Sequence, residues 1–360
     1  MKTFVTGGTG FIGQHLVRKL LANGDEVTVL VRSQADAAAQ QAAGTHPVFG
    51  DITDKESMRA AMQGSDRVFH LAAWYKLGAA NQEMAETINV QGTRNVLELA
   101  YELGVPRIFY TSTLAVFGDT HGKLVDESYR KPGPPFLTEY DRTKWMAHYQ
   151  VALPLIERGA PITILMPGAV YGPGDTSLVG DLMRAFYMGL FPVLPGPELT
   201  LTYVHVEDVA QGHLLAAERG KPGEAYILTG PALSLHDAVH LLASVSGRAA
   251  PLFDVPARWL QPLAPVMGFL SGTLPIPPLM SQDTLQMLGA TYIARADKAR
   301  RELGWKARPV EEGFGETMDW IAGTTRPVLS GTTPRQQVAA LSVGAALGLL
   351  LVWMAARRRR

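Results

Sequence analysis

Residues 6–13 read Thr6-Gly7-Gly8-Thr9-Gly10-Phe11-Ile12-Gly13. The stretch directly follows a short β-type run over 3–6 and opens a helical pattern over 12–23. Glycines at 7, 10 and 13 give a GxxGxxG spacing, a variant of the dinucleotide fingerprint. In such a loop Gly7 permits the tight turn, Gly10 lets the backbone approach a pyrophosphate, and Gly13 lets the helix pack on the strand; Phe11 and Ile12 complete it. Glycine spacing alone says little. Strand, turn and helix in this order make it a nucleotide-binding loop.

Working outward, apolar runs at 26–31, 67–71, 107–111 and 161–166 alternate with helical patterns at 54–62, 88–103 and 140–158. That alternation predicts βαβ units and an α/β fold with a Rossmann-type, doubly wound parallel sheet over 1–171. Ligands of such sheets bind beyond the carboxyl ends of the strands. The second strand ends Val29-Leu30-Val31-Arg32-Ser33, with an arginine where a carboxylate normally takes the ribose hydroxyls of NAD. Arg32 therefore favours NADP, with NAD the alternative; a solvated strand-end arginine is the plainer reading. Asp51-Ile52, after Gly50, is placed to meet an adenine edge, or is simply the approach to a helix start at Asp54. Leu71-Ala72-Ala73 supplies small residues where a backbone passes close to the cofactor.

The chain has 360 residues, 47% hydrophobic and 18% charged, enough for a sizeable core. It has no cysteine, which excludes disulfides, thiolate catalysis and cysteine-based zinc sites. Its 33 basic and 33 acidic residues cancel, but six arginines and no acid lie in 326–360, so the remainder carries −6. An acidic body lacks the clustered basic face that phosphate backbones require, so nucleic acid is not an expected partner. No export signal is evident at the start, and a cytoplasmic catalytic domain is expected. From 172 to 325 prolines recur and the pattern loosens, which predicts a smaller irregular substrate lobe, some segments of which return to the sheet. Residues 326–335 read as a linker. Residues 336–356 carry no charge, are long enough for a helix to cross a bilayer core, contain Gly344 and Gly348 at a close-packing spacing, and precede four arginines. This predicts a hydrophobic tail helix in the membrane, against the alternative of a buried or amphipathic helix. The arginines lie on the far side of the segment, where the positive-inside rule does not place them, so its topology stays open.

Tyr140-Asp141-Arg142-Thr143-Lys144 places a tyrosine and a lysine four apart, on one helix face. A phenol with its ordinary pKa near 10 is a poor acid–base at neutral pH, and a neighbouring ammonium stabilises the phenolate. The same lysine can hydrogen-bond a nicotinamide ribose. The strand end Tyr110-Thr111-Ser112-Thr113-Leu114-Ala115-Val116-Phe117-Gly118 offers hydroxyls to hold a substrate oxygen while the tyrosine moves a proton.

With these motifs assembled, the chain resembles an extended short-chain dehydrogenase/reductase of the NAD-dependent epimerase/dehydratase superfamily. The resemblance runs from residue 2 to about 321 and rests on TGGTGFIG, GDITD, HLAA, NVQGTRNVL, YTSTLAVFG, YDRTK, PGAVYGPGD, YVHVEDVA and a closing LGW in that order. It implies Thr113 as the catalytic hydroxyl, Tyr140 as acid–base and Lys144 as its partner. It further implies Pro167 to Val170 beside the nicotinamide and Asn89 as a helix-breaking asparagine, which is otherwise a plain polar helix residue. Asp208 reads as structural. Sugar 4,6-dehydratases of the family carry an acid pair after the catalytic hydroxyl; Leu114-Ala115 stands there, so elimination of water is not expected. VLVRS, HLAAWYKLG and the segment 294–303 are closest to dihydroflavonol-reductase-like and hopanoid-associated epimerase-like members.

The expectation is hydride transfer between nicotinamide and a carbinol or ketone carbon of a small or lipid-like substrate. A nucleotide-sugar epimerase with retained NAD is the alternative, and a non-catalytic NADP sensor a minor one. Trp74, Tyr75, Tyr171 and Tyr203 are candidates for walling the substrate site, against plain packing. His236 and His240 imitate a zinc-protease helix but lack the glutamate and a third ligand, so no metal is expected. A homodimer pairing the 88–103 and 140–158 helices is expected from the resemblance.

Overall fold

The computed structural model describes residues 1–75, 82–190, 193–271 and 281–324, and the side chains of all of these except 268–271. The linker and the tail helix expected over 326–335 and 336–356 lie outside the described residues. Among the described residues, no helix is long and apolar enough to cross a membrane.

Seven strands form one sheet: β1 Lys2–Thr6, β2 Glu26–Val31, β3 His46–Phe49, β4 Arg67–His70, β5 Arg107–Thr111, β6 Ile162–Pro167 and, after three strands of the second lobe, β10 Ala225–Leu228. Their order is β10-β6-β5-β4-β1-β2-β3, and every neighbouring pair is parallel. Strands covered on both faces are near-continuous apolar runs, and Phe4, Val5, Val27, Val29, Val68, Phe69, Ile108 and Phe109 are all fully buried. From β1 the chain winds outward through β2 and β3, then returns to β4 and winds the other way through β5 and β6. Right-handed crossovers put the helices of the two halves on opposite faces. The reversal opens a crevice between the carboxyl ends of β1 and β4, which is where this class of sheet binds its ligands.

Five of these strands lie within a residue of the runs read from sequence. Two were not anticipated, and both are edges. β3 is four residues of half-exposed chain whose Pro47 lacks a ladder donor, tolerable only on an outer strand. β10 sits in the proline-broken part of the chain and completes the opposite edge against β6. The helix Val206–Arg219 packs on helix α1, Phe11–Ala22, so this part of the chain belongs to the sheet layer.

Two long helices flank the site, over 82–102 and 139–157. Each widens by a π turn, at Thr87–Gly92 and Ala147–Ala152, and they pack together. The second lobe gathers β7 Ala169–Tyr171, β9 Thr200–His205, β11 Ala232–Ser234 and β13 Thr291–Tyr292 into a small sheet, with β8 Val193–Pro195 paired to β12 Phe253–Val255. Helices Leu178–Tyr187, Leu235–Ser246 and Val310–Thr324 close over a separate core that includes Tyr171, Phe186, Tyr203, Leu242 and Phe314.

Candidate active site

The glycine loop is built as its spacing requires. Gly7 has φ +75°, and a Cβ there would lie 2.5 Å from the Ala72 nitrogen, so the 71–73 backbone passes directly beneath it. A Cβ on Gly13 would meet Gly8 Cα at 2.8 Å and crowd the Gly7 carbonyl oxygen still more closely, so only glycine lets α1 seat on the turn. Gly10 caps α1 without a side-chain hydrogen bond, and no acid occupies the first turn. The first amide groups of α1 therefore face the loop without an internal acceptor, an arrangement that fits a dinucleotide pyrophosphate. Phe11 and Ile12 are half-buried at this end, with Phe11 edge-on to His15 at 5.9 Å between ring centroids.

Arg32 is exposed at the end of β2 and makes no ion pair with the other described residues. Ser33 beside it caps the helix Gln34–Ala42, accepting from Asp36 N at 3.1 Å. Asp51 is half-buried, and its Oδ1 accepts from Thr53 N at 2.9 Å and Thr53 Oγ1 at 2.8 Å. Ile52 is buried, and a Cβ on Gly92 would fall 2.6 Å from its Cδ1. The Asp51-Ile52 pair thus braces the loop after β3 against the 82–102 helix. Leu71 and Ala72 are half-buried and Ala73 is exposed, on the path below Gly7.

Tyr140 and Thr113 come together across the carboxyl end of β5. Thr113 caps a 3₁₀ turn, Leu114–Phe117, with its hydroxyl accepting from Ala115 N at 3.2 Å, and the Tyr140 phenol lies close to it. Burial pushes the Tyr140 phenol above its ordinary range and nearby Tyr75 adds to this, while the neighbouring Thr113 hydroxyl opposes it. Tyr75 stands edge-on to Tyr140 at 4.7 Å between centroids, so it lies at the site's mouth. Trp74 is held by its backbone instead: Asn89 Oδ1 accepts from Trp74 N at 2.7 Å, and Asn89 Nδ2 donates to Trp74 O and Thr143 Oγ1, both at 3.0 Å. Asn89 lies in the π turn and is buried. The widened turn lets one side chain bind the 74 loop to the Tyr140 helix, a job its position in sequence did not reveal.

The Lys144 ammonium donates to the Thr111 carbonyl at 3.0 Å and lies 4.9 Å from the Tyr110 ring centroid. Burial brings it down to about 7. The same dry environment penalises both charged forms, phenolate and ammonium alike. Pro167 is buried at the end of β6, and half-buried Val170 pairs with Val204 on β9. Tyr171 and Tyr203 are not pocket walls. They are 1% and 5% exposed and pack edge-on to Phe314 in the core of the second lobe. Asp208 is held by Arg308, its carboxylate 2.9 Å from Arg308 N, and its carbonyl accepts from Trp305 of LGW at 2.7 Å. His236 pairs with Asp254 at 2.8 Å.

Three buried histidines beneath the site had no legible signal. His70 joins Thr6 at 2.7 Å to Thr93 at 3.0 Å, His148 meets Ser112 at 2.9 Å, and His213 meets Thr111 at 2.9 Å while donating to Val209 O. They fix hydroxyls at the ends of β1 and β5. Burial lowers His70 and His148 to about 3 and His213 to about 4. Unfolded, each takes a proton as pH falls through about 6.5, which the native state refuses, so stability is present above that pH and is lost below it. Each histidine contributes a loss of about 1.4 kcal/mol per pH unit between its unfolded and folded values. Asp141, raised by burial to about 6, opposes this, because its native carboxyl holds a proton that the unfolded one releases. His205, lowered by burial to about 4, adds to the loss, while Asp175 and Glu127, raised by burial, side with Asp141. In the unfolded chain the four histidines titrate over the whole interval, so the urea midpoint should drop from pH 7 to pH 5; an unchanged or higher midpoint would mean that the histidines titrate in the folded protein.

A glycine-lined anion cradle at the switch point of a parallel sheet, beside a hydroxyl–tyrosine pair and a buried lysine, defines a nicotinamide-dinucleotide enzyme. The chain belongs to the NAD dependent epimerase/dehydratase family, whose model matches residues 3–228. It is 31% identical over 338 residues to sterol demethylase protein B of Methylococcus capsulatus, covering 89% of this chain and 98% of that one. It is 34% identical over 313 residues to a 4-hydroxy-2-methyl-3-oxo-4-farnesyl-3,4-dihydroquinoline-1-oxide ketoreductase of Stigmatella aurantiaca, covering 86% and 92%. Among solved structures, gox2253 superposes with a TM-score of 0.77 at 32% identity, covering 90% and 98%.

Proposed function

We propose that the chain is an NADP-dependent reductase or dehydrogenase acting on a carbonyl or carbinol carbon of a lipid-like substrate. The observation that carries this reading is the meeting of Thr113 and Tyr140 beside the glycine loop. In the reducing direction the Thr113 hydroxyl holds the carbonyl oxygen and Tyr140 gives it a proton; oxidation runs the same path backwards. The dinucleotide, when bound, supplies or accepts the hydride. Gly7, Gly10, Phe11, Ile12 and Gly13 hold its pyrophosphate side, Ala72 and Ala73 leave room for it, and Lys144 serves its ribose. Arg32 is free to take a 2′-phosphate, which supports NADP over NAD. The named substrate of one relative carries a farnesyl group and another relative is named for a sterol, which supports a lipid-like substrate here. The catalytic domain is cytoplasmic, the tail enters the membrane, and the 82–102 and 139–157 helices pair in a homodimer.

The test is to denature the purified protein, identify any nucleotide released, and titrate the emptied site. The expected result is no stoichiometric NAD and a clear preference for NADPH. Arg32→Asp should cost NADPH about tenfold or more in affinity while sparing NADH, the scale of one charge-assisted contact. Stoichiometric NAD⁺ or NADH would replace this reading with a retained-cofactor epimerase, as the family's name allows, and equal loss of both nucleotides in the variant would remove Arg32 from the 2′-phosphate.

A further inference from the structure

Between Asp254 and Asp283 the chain carries a single charge, Arg258. The inward side of this stretch is already satisfied: Ala257, Leu260 and Ala264 pack with Leu285 and Leu288 in a small core of their own. Large apolar side chains also lie exposed on the stretch and just before it. Leu252 is 76% exposed, Phe253 70%, Trp259 45% and Val266 54%. Trp259 lies on the short helix Ala257–Leu260 and Val266 on Ala264–Ser271, joined by a 3₁₀ turn, Gln261–Leu263. A helix that is hydrophobic all round is ordinarily covered, and clustered exposed apolar side chains of this size mark an interaction surface.

The chemistry of the face and the course of the chain identify what covers it. Tryptophan, phenylalanine and arginine are residues of a bilayer interface, and the one acid among them, Asp254, is paired with His236 at 2.8 Å. The helix Val310–Thr324, from which the tail departs, packs on Leu235–Ser246, the helix that leads into Leu252 and Phe253. Only eleven residues, 325–335, separate that helix from the uncharged run 336–356 and its four arginines. Even fully extended they span about 38 Å, so a tail in the membrane keeps this lobe against the lipid surface at high effective concentration. We propose that the face formed by Leu252, Phe253, Trp259 and Val266, with Arg258 among them, docks on the surface of an anionic bilayer. The proposal rests on the reading of the tail as a membrane segment. The docked unit is tied to the catalytic helix, since Tyr292, shortly after Leu288, donates to Asp141 Oδ2 at 2.8 Å next to Tyr140. A lipid-like substrate would thereby reach Tyr140 from the membrane side.

The test uses the full chain with vesicles of phosphatidylcholine and phosphatidylglycerol bearing brominated acyl chains, which quench tryptophans that enter the interface. Wild type should lose a component of its fluorescence that Trp259→Phe no longer shows, while Trp353→Phe reports separately on the tail. A component lost with Trp353 but not with Trp259 would overturn the docking face and leave the tail reading standing, as would happen if the tail itself covered the patch. No component at either position would overturn both. As a second measure, Leu252→Asp with Phe253→Asp, both on the surface, should lower vesicle partitioning about tenfold with thermal unfolding unchanged; equal partitioning would overturn the proposal.

Discussion

Tyr140→Phe should reduce turnover by about 10²- to 10⁴-fold, the range over which positioned acid–base groups act, while leaving nucleotide affinity near that of the wild type. The reasoning is geometric. The substitution deletes one oxygen, keeps the ring that stands edge-on to Tyr75, and touches neither the glycine loop nor the Lys144 bond to Thr111. The hydroxyl is the only part of Tyr140 that can exchange a proton, and burial already holds it protonated at neutral pH, the form needed to reduce a carbonyl. Thr113→Ala should be milder, because it removes a hydrogen bond to the oxygen and not the proton itself. Steady-state rates with a ketone panel and nucleotide titrations on the same preparations check both. Turnover in Tyr140→Phe within a few-fold of wild type would remove the tyrosine from its assigned role, and a parallel collapse of nucleotide binding would assign it a structural one.

How much of this could be read without coordinates depended on whether the constraint was local. The first turn is local: Gly7, Gly10 and Gly13 are forced by a turn, an approach and a packing contact within eight residues, and the spacing was sufficient. The inner strands were legible because burial on both faces makes them apolar throughout. β3 escaped because it is half wet and Pro47 argues against a strand until it is known to be the outermost one, while β10, although buried, is only four residues long and sits in the proline-broken part of the chain. The Tyr140–Lys144 spacing was legible as a helix face, yet the lysine's destination was not. Its long side chain reaches a carbonyl on β5, more than thirty residues back in the chain. Tyr171 and Tyr203 depart from the pocket-wall expectation for a related reason. Aromatics near a strand end are equally at home in a pocket or a core, and only the helix Val310–Thr324, with Phe314 laid across them, decides it. The partners of His213, Asn89 and Asp141 lie 102, 54 and 151 residues away, and no pattern in one sequence connects such pairs.

Gly13→Ala should be among the most damaging single-methyl changes at the described residues. The added carbon would sit 2.9 Å from the Gly7 carbonyl carbon and 2.8 Å from Gly8 Cα, and both are backbone, so no side chain can swing away to relieve it. Either α1 lifts off the turn or the turn opens, and in both cases the amide groups at the start of α1 move relative to Gly7. A shift of about 1 Å in a binding constellation costs on the order of 100-fold, and forcing a methyl into a packed contact costs about 1–3 kcal/mol of stability. Gly315→Ala is the matched control. It places the same methyl inside the helix Val310–Thr324, where nothing lies within 4 Å of it, and should gain about 0.5–1 kcal/mol from helix propensity with no effect on nucleotide binding. Isothermal titration with NADPH and thermal unfolding of the two variants separate the cases. If Gly13→Ala binds NADPH as wild type does, the close seating of α1 on the turn is not what positions the dinucleotide. If it binds about 100-fold more weakly while remaining folded at the assay temperature, the glycine at 13 acts on the nucleotide through the placement of a helix end.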